Sequence, residues 1–132
     1  MKIYDFEDLE CWQVARKLAK RVYILSRKKE FFRDFKLSGQ IHGSAGSAMD
    51  NIAEGFERGG NKEFIQFLFI SKASNAEVRS QLYRALDVEY IDKAEFDETM
   101  EISLMLRRLL KSLIESLERN PTRGTKNQNY NH

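Results

Sequence analysis

The sequence predicts an all-α chain folded as an antiparallel up-and-down four-helix bundle, and three observations predict it. Apolar residues recur at helical spacing through four long segments, no proline interrupts residues 1–120, and the connections between the segments are short. Short connections cannot cross the length of a bundle, so consecutive helices must run antiparallel. The 132 residues suffice for one hydrophobic core and not for two ordinary domains. The bundle is expected to occupy residues 1–119. The tail, 120–132, is polar apart from Tyr130 and is expected to be disordered.

The first helix is expected over Asp8 to Lys28, with Cys11, Val14, Leu18, Val22 and Leu25 on one stripe, widened by Trp12, Ala15, Ala19 and Tyr23. Lys28 to Phe35 breaks the period and reads as a turn, with Asp34 an N-cap for the second helix, Phe35 to Arg58. That helix carries Leu37, Ile41, Ala45, Ala48 and Ile52 inward. Its Gly39, Gly43 and Gly46 share nearly one face. Each costs roughly 1 kcal/mol against alanine, and close packing of a neighbouring helix is the expected offset. The third helix starts after Gly59-Gly60, with Asn61 expected as its N-cap and Glu63 at the positive end of its dipole, and runs to about Val88. Asp92-Lys93-Ala94-Glu95 reads as a capping box opening the fourth helix, which Asn120-Pro121 stops after about Arg119.

Two of these helices hold more apolar surface than one bundle needs. In Phe64 to Ile70 six of seven residues are apolar. In the fourth helix Leu104 and Leu106 lie about 200° apart. Self-association through the third and fourth helices is the expected use of that surface.

Net charge is +2, and residues 1–119 balance to zero, but the charge is unevenly spread. From Arg16 to Lys36 there are nine basic and two acidic residues, whereas Asp87 to Glu101 holds seven acidic and one basic. An antiparallel bundle brings these patches to one end, where they attract each other within or between subunits. Arg16, Lys17, Lys20, Arg21, Arg27 and Lys28 are the candidate contacts to RNA or DNA phosphates. No aromatic platform is evident beside them, so any binding is expected to be weak, salt-sensitive and indifferent to sequence.

No catalytic site is legible. The histidines His42 and His132 have no second histidine or cysteine at ligand spacing, so neither a metal nor a cofactor is expected. The di-iron Glu-x-x-His pairing is absent, and Gly43-Ser44-Ala45-Gly46 lacks the lysine of a phosphate loop. Ser44, Ser47, Ser71 and Ser74 have no evident His/Asp partners. The lone Cys11 and the lack of any long apolar run point to a cytoplasmic protein with no membrane contact.

The most unusual local feature is Asn51-Ile52-Ala53-Glu54-Gly55-Phe56-Glu57-Arg58, followed by Lys62-Glu63-Phe64. Asn51 and Glu54 are one turn apart, and Glu54 and Arg58 form an i, i+4 pair. The reading preferred here is a buried polar network that fixes the second helix against the third, using Ser71, Ser74, Asn75 and Glu77. The alternative is a surface ion pair.

At these residues the chain resembles the four-helix-bundle family first noticed as open reading frames in intervening sequences of bacterial 23S ribosomal RNA genes. The resemblance covers about residues 5–118. It includes Phe6-Glu7-Asp8-Leu9 with Trp12 and Ala15, then Gln40 and Asn51-Ile52-Ala53-Glu54-Gly55. Lys62-Glu63-Phe64-Ile65, Phe67-Leu68, Ala73-Ser74, Glu77 and Leu82 complete it. It implies cyclic pentamers, nucleic-acid binding and no enzymatic activity. One departure is that basic residues often follow the glutamine in the family, where this chain has His42-Gly43. A related bundle type is the accessory protein of retroelement reverse transcriptases, but that type is strongly basic. The leading expectation is a non-catalytic oligomer that binds nucleic acid; the competing ones are a protein-interaction scaffold or a bundle like that accessory protein.

Overall fold

In this computed structural model the described residues are 2–120 together with the backbone of Gln128 and Asn129. The helices are α1 (Glu10–Ser26), a short α2 (Lys29–Arg33), α3 (Phe35–Glu57), α4 (Asn61–Asp87) and α5 (Lys93–Glu118). Two-residue strands β1 (Lys2–Ile3) and β2 (Gln128–Asn129) pair antiparallel. The expectation of a disordered tail falls otherwise on residues outside the described set.

The four long helices form an up-and-down bundle in which α1 packs on α3 and α5, and α4 packs on the same two. Helical spacing turns one stripe of each inward: Leu18 and Leu25, Ile41 and Ile52, Leu68 and Leu82, Leu106 and Leu110 are all fully buried. Burying a side chain of this size contributes about 1.5–3 kcal/mol.

The ends of α1 are shorter than expected, and local hydrogen bonds explain the start. The Asp8 carboxylate turns back to accept from the Tyr4 and Asp5 amides, closing a 3-10 turn over Phe6–Asp8 before α1 begins. Phe6 then meets Trp12 edge-on at 5.2 Å. The capping box of α5 forms as expected, the Asp92 carboxylate accepting from Glu95 N and the Glu95 carboxylate from Asp92 N. At α4 the expectation is corrected. Gly60 is the N-cap, and Asn61 is buried with its Nδ2 donating to Asn120 O at 2.6 Å, which ties the start of α4 to the end of α5.

Polar groups lock the helix pairs. Ser71 donates to Ala48 O at 2.6 Å between α4 and α3. Asn75 Nδ2 donates to Ser103 O at 2.9 Å, and Ser103 Oγ donates back to Asn75 Oδ1 at 2.7 Å between α4 and α5.

The glycines divide differently from the expectation. A Cβ at Gly39, Gly43 or Gly46 would meet nothing within 4 Å, so no neighbouring helix crowds them. The close approach is at Gly55, where a Cβ would stand 2.5 Å from Phe67 Cβ and 3.0 Å from Phe64 Cδ1. Opposite substitution effects follow. Gly55→Ala is expected to lower stability by about 1–3 kcal/mol through overpacking. Gly39→Ala and Gly43→Ala should each raise it by up to about 1 kcal/mol through helix propensity. Urea denaturation of the three variants checks both signs.

Candidate nucleic-acid interface

Helical geometry divides the basic face of α1 into two rows. At 100° per residue, Arg16, Lys20, Tyr23 and Arg27 fall within about 60° of one another, while Lys17, Arg21, Ile24 and Lys28 form a second row about 100° away. The second row borders α5. Because α1 and α5 are antiparallel, Arg21 Nη2 reaches Glu98 Oε2 at 3.2 Å and Lys28 Nζ reaches Glu95 Oε1 at 2.6 Å. The attraction expected between the basic and acidic patches therefore occurs within one chain, and it occupies two of the six candidate cations. Burial alone would raise the Glu95 carboxyl, but hydrogen bonds from Lys28 and the Asp92 amide outweigh it and hold the group below its ordinary value.

The first row has no such partner: among the described residues no carboxylate forms an ion pair with Arg16, Lys20 or Arg27. Arg16 lies over the Trp12 ring at 5.8 Å. Arg27 lies over Tyr23 at 5.5 Å and over Phe32 at 4.8 Å. Lys17, at the edge of the second row, is exposed and unpaired among the described residues.

Arg27 stands in a cleft of about 300 Å³ between α1, α2 and α3, lined by Tyr23, Arg27, Phe32, Phe35 and His42 with Ser26, Ser38 and Gly39. This overturns the expectation that the basic residues lack aromatic neighbours. The segment read as a turn is the cause. It folds as α2, and at consecutive positions Phe31 goes into the core while Phe32 stays exposed. Phe31 stacks on Tyr90 at 5.4 Å. The Asp34 carboxylate caps α3 through Leu37 N at 3.1 Å and accepts from the Tyr90 hydroxyl at 3.0 Å. Held in this way, Phe32 meets Phe35 edge-on at 5.8 Å, and Tyr23 faces His42 at 5.7 Å. Phe35 is 72% exposed. The paired phenylalanines around Asp34 were the available signal, but side-chain direction in so short a helix cannot be read from periodicity.

The remaining candidate residues separate into two groups. Midway along the α3–α4 pair, Asn51 Nδ2 donates to Ser47 O at 2.8 Å and to Ser47 Oγ at 3.0 Å, and Ser47 Oγ shares a 2.9 Å hydrogen bond with Ser74. The expected inter-helix network therefore includes Asn51 and Ser74. Glu54 is not in it: its side chain is 57% exposed and pairs with Arg58 at 3.3 Å. Arg58 also approaches Glu63 at 3.7 Å and covers the Phe67 ring at 5.1 Å, clamping the corner from outside. Gly55 provides the close approach described above. Along the outer face of α3 and α4, Gln40, Ser74 and Glu77 line a polar trough of about 560 Å³ with Gly39, Gly43, Ser44, Ser47, Gln81 and Arg84. There Arg84 Nη1 donates to Gln40 Oε1 at 3.2 Å. The trough and the aromatic cleft adjoin at Gly39.

Cys11 is buried, which pushes its thiol up to about 12, so it is not a nucleophile near neutral pH. Among the described residues no group of three or more metal-ligating side chains gathers. No helix among them is long and apolar enough to cross a membrane.

The pattern of the 23S rRNA-intervening sequence protein family matches residues 7–112. The chain belongs to that family. A crystal structure of a protein of unknown function from the S23 ribosomal protein family of Bacteroides thetaiotaomicron VPI-5482 shares the fold. Its TM-score is 0.73 at 24% identity, over 80% of this chain and 98% of that one. No protein of curated function matches the sequence. In this chain the residues from Asn51 to Arg58 that carried the resemblance serve the α3–α4 pairing, whereas Gln40, Ser74 and Glu77 reach a surface trough.

Two predictions test this assignment. Asn75→Ala, which removes both hydrogen bonds to Ser103 and leaves its hydroxyl only the one from Arg79, is expected to cost about 1–3 kcal/mol, whereas Glu54→Ala should change stability by no more than about 0.5 kcal/mol; chemical denaturation distinguishes them. The second concerns acid. The Leu37 amide, then the Tyr90 hydroxyl, hold the Asp34 carboxyl below its ordinary value of 3.8. A depressed folded-state value means that the stabilisation is complete above 3.8 and is lost as pH falls through the lower folded value. Thermal unfolding of Asp34→Asn should therefore lose less stability than wild type between pH 5 and pH 2, a range of about three units around that transition.

Proposed function

We propose that this protein is a non-catalytic, self-associating cytoplasmic bundle that binds nucleic acid through its phosphates. The observation that carries this reading is the row Arg16, Lys20 and Arg27, which is exposed and has no carboxylate partner among the described residues. Such a row contacts phosphates without reading bases. Arg21 and Lys28 contribute less, because their charges are compensated by Glu98 and Glu95. Lys17 adds a cation at the margin.

Self-association is supported by Phe69 and Ile70, adjacent on the outer surface of α4 and each 48% exposed. The second face of α5 supplies less apolar surface than the sequence implied, because Ile102, Leu104 and Leu109 are half-buried and only Met105 is exposed among them. A ring, as the family resemblance implies, would repeat the cationic row and multiply a modest affinity.

Fluorescence anisotropy with a labelled single-stranded RNA tests the binding. Three phosphate contacts predict a log–log salt slope of about −2 per protomer. The triple variant Arg16→Gln/Lys20→Gln/Arg27→Gln should lose the binding and keep the wild-type mass in light scattering. Absence of retention by wild type at low ionic strength would leave the scaffold reading. A monomer at micromolar concentration would refute self-association.

A further inference from the structure

We propose that the cleft between α1, α2 and α3 receives an unpaired nucleobase, which makes the protein a binder of single-stranded rather than duplex nucleic acid. This rests on the phosphate-binding reading above and adds to it the part of the ligand that enters the protein.

The cationic row of α1 ends in the cleft. Arg16, Lys20, Tyr23 and Arg27 share one exposed stripe, so a strand whose phosphates follow the row meets the rings at its end. A nucleobase offers two π-faces, and stacking on aromatic side chains is how sequence-tolerant single-strand binders hold bases. Tyr23, Phe32 and Phe35 are all exposed here, at 46%, 41% and 72%. The volume of about 300 Å³ lies at the lower limit of small-ligand sites and suits one flat ring system. A paired base cannot enter, since its faces are covered within the duplex stack.

Charge and hydrogen bonding favour a base over an aliphatic side chain from a protein partner. Arg27 stands between two rings with no carboxylate partner, leaving a cation inside the cleft to meet a base oxygen or its phosphate. The two serine hydroxyls in the lining have already committed their protons: Ser26 donates to Tyr23 O at 3.0 Å and Ser38 to Phe32 O at 3.4 Å. The cleft therefore offers ring faces, the Arg27 guanidinium and the polar atoms of Tyr23 and His42 at its wall, a combination that accepts any base and selects none strongly.

The test uses the full-length protein and three labelled probes of equal length: single-stranded oligoadenylate, an abasic strand with the same phosphates, and a duplex. Oligoadenylate is expected to bind roughly tenfold more tightly than the abasic strand, with the duplex no tighter than the abasic strand. Tyr23→Leu/Phe35→Leu, which keeps apolar volume and removes the two most exposed of the three rings, should bring oligoadenylate most of the way down to the abasic affinity while the abasic affinity stays at the wild-type value. Circular dichroism confirms that the variant is folded; if it is not, Phe35→Leu alone, at the most exposed ring, should show the same loss in smaller measure. Equal binding of oligoadenylate and the abasic strand would overturn the base site and leave phosphate binding standing. An unchanged preference in the folded variant would also overturn it, as would a duplex preference. No binding of any probe at low salt would remove both readings, leaving the cleft to a protein partner.

Discussion

The antiparallel placement of α1 against α5 is the constraint on which the surface of this protein depends. Short connections leave the chain no other arrangement, and the end of a basic helix is thereby set beside the start of an acidic one. Lys28 meets Glu95 and Arg21 meets Glu98. Such partly exposed pairs contribute little to stability individually. Their larger consequence is to divide one basic face into a compensated row and an uncompensated row, and only the second leads to the aromatic cleft.

The same end of the bundle shows how a core contact shapes a surface. Phe31 enters the core and stacks on Tyr90, whose hydroxyl reaches the Asp34 cap of α3. Two packing contacts and a cap thus fix a five-residue helix that could not persist alone. Phe32 and Phe35 are left outside as a consequence. Core packing on one side and ring exposure on the other are two results of a single turn.

Much of the fold was legible because it depends on signals that a sequence carries locally. Helical periodicity located the four long helices, Asp34 marked the start of α3, and Asp92 with Glu95 marked that of α5. The errors arose where tertiary context decides. Asn61 looked like a cap, but the adjacent Gly60 takes that place and the amide reaches Asn120 O. The glycine stripe suggested a crowded seam, yet the crowding is at Gly55, whose neighbours come from α4. For the site, the cationic residues could be identified from composition. Which of them a carboxylate would neutralise required knowing the register of α1 against α5, and the cleft required knowing that Phe31 and Phe32 diverge.

The central claim is that the two rows of α1 differ in function because α5 compensates one of them. It is tested most directly by the salt dependence of single-stranded RNA binding for two charge-matched variants, Arg16→Gln/Lys20→Gln and Arg21→Gln/Lys28→Gln. Loss of two phosphate contacts should make the slope of the first shallower by about 1.4, whereas the second should keep the wild-type slope. Equal flattening in both variants, or flattening only in the second, would contradict the account.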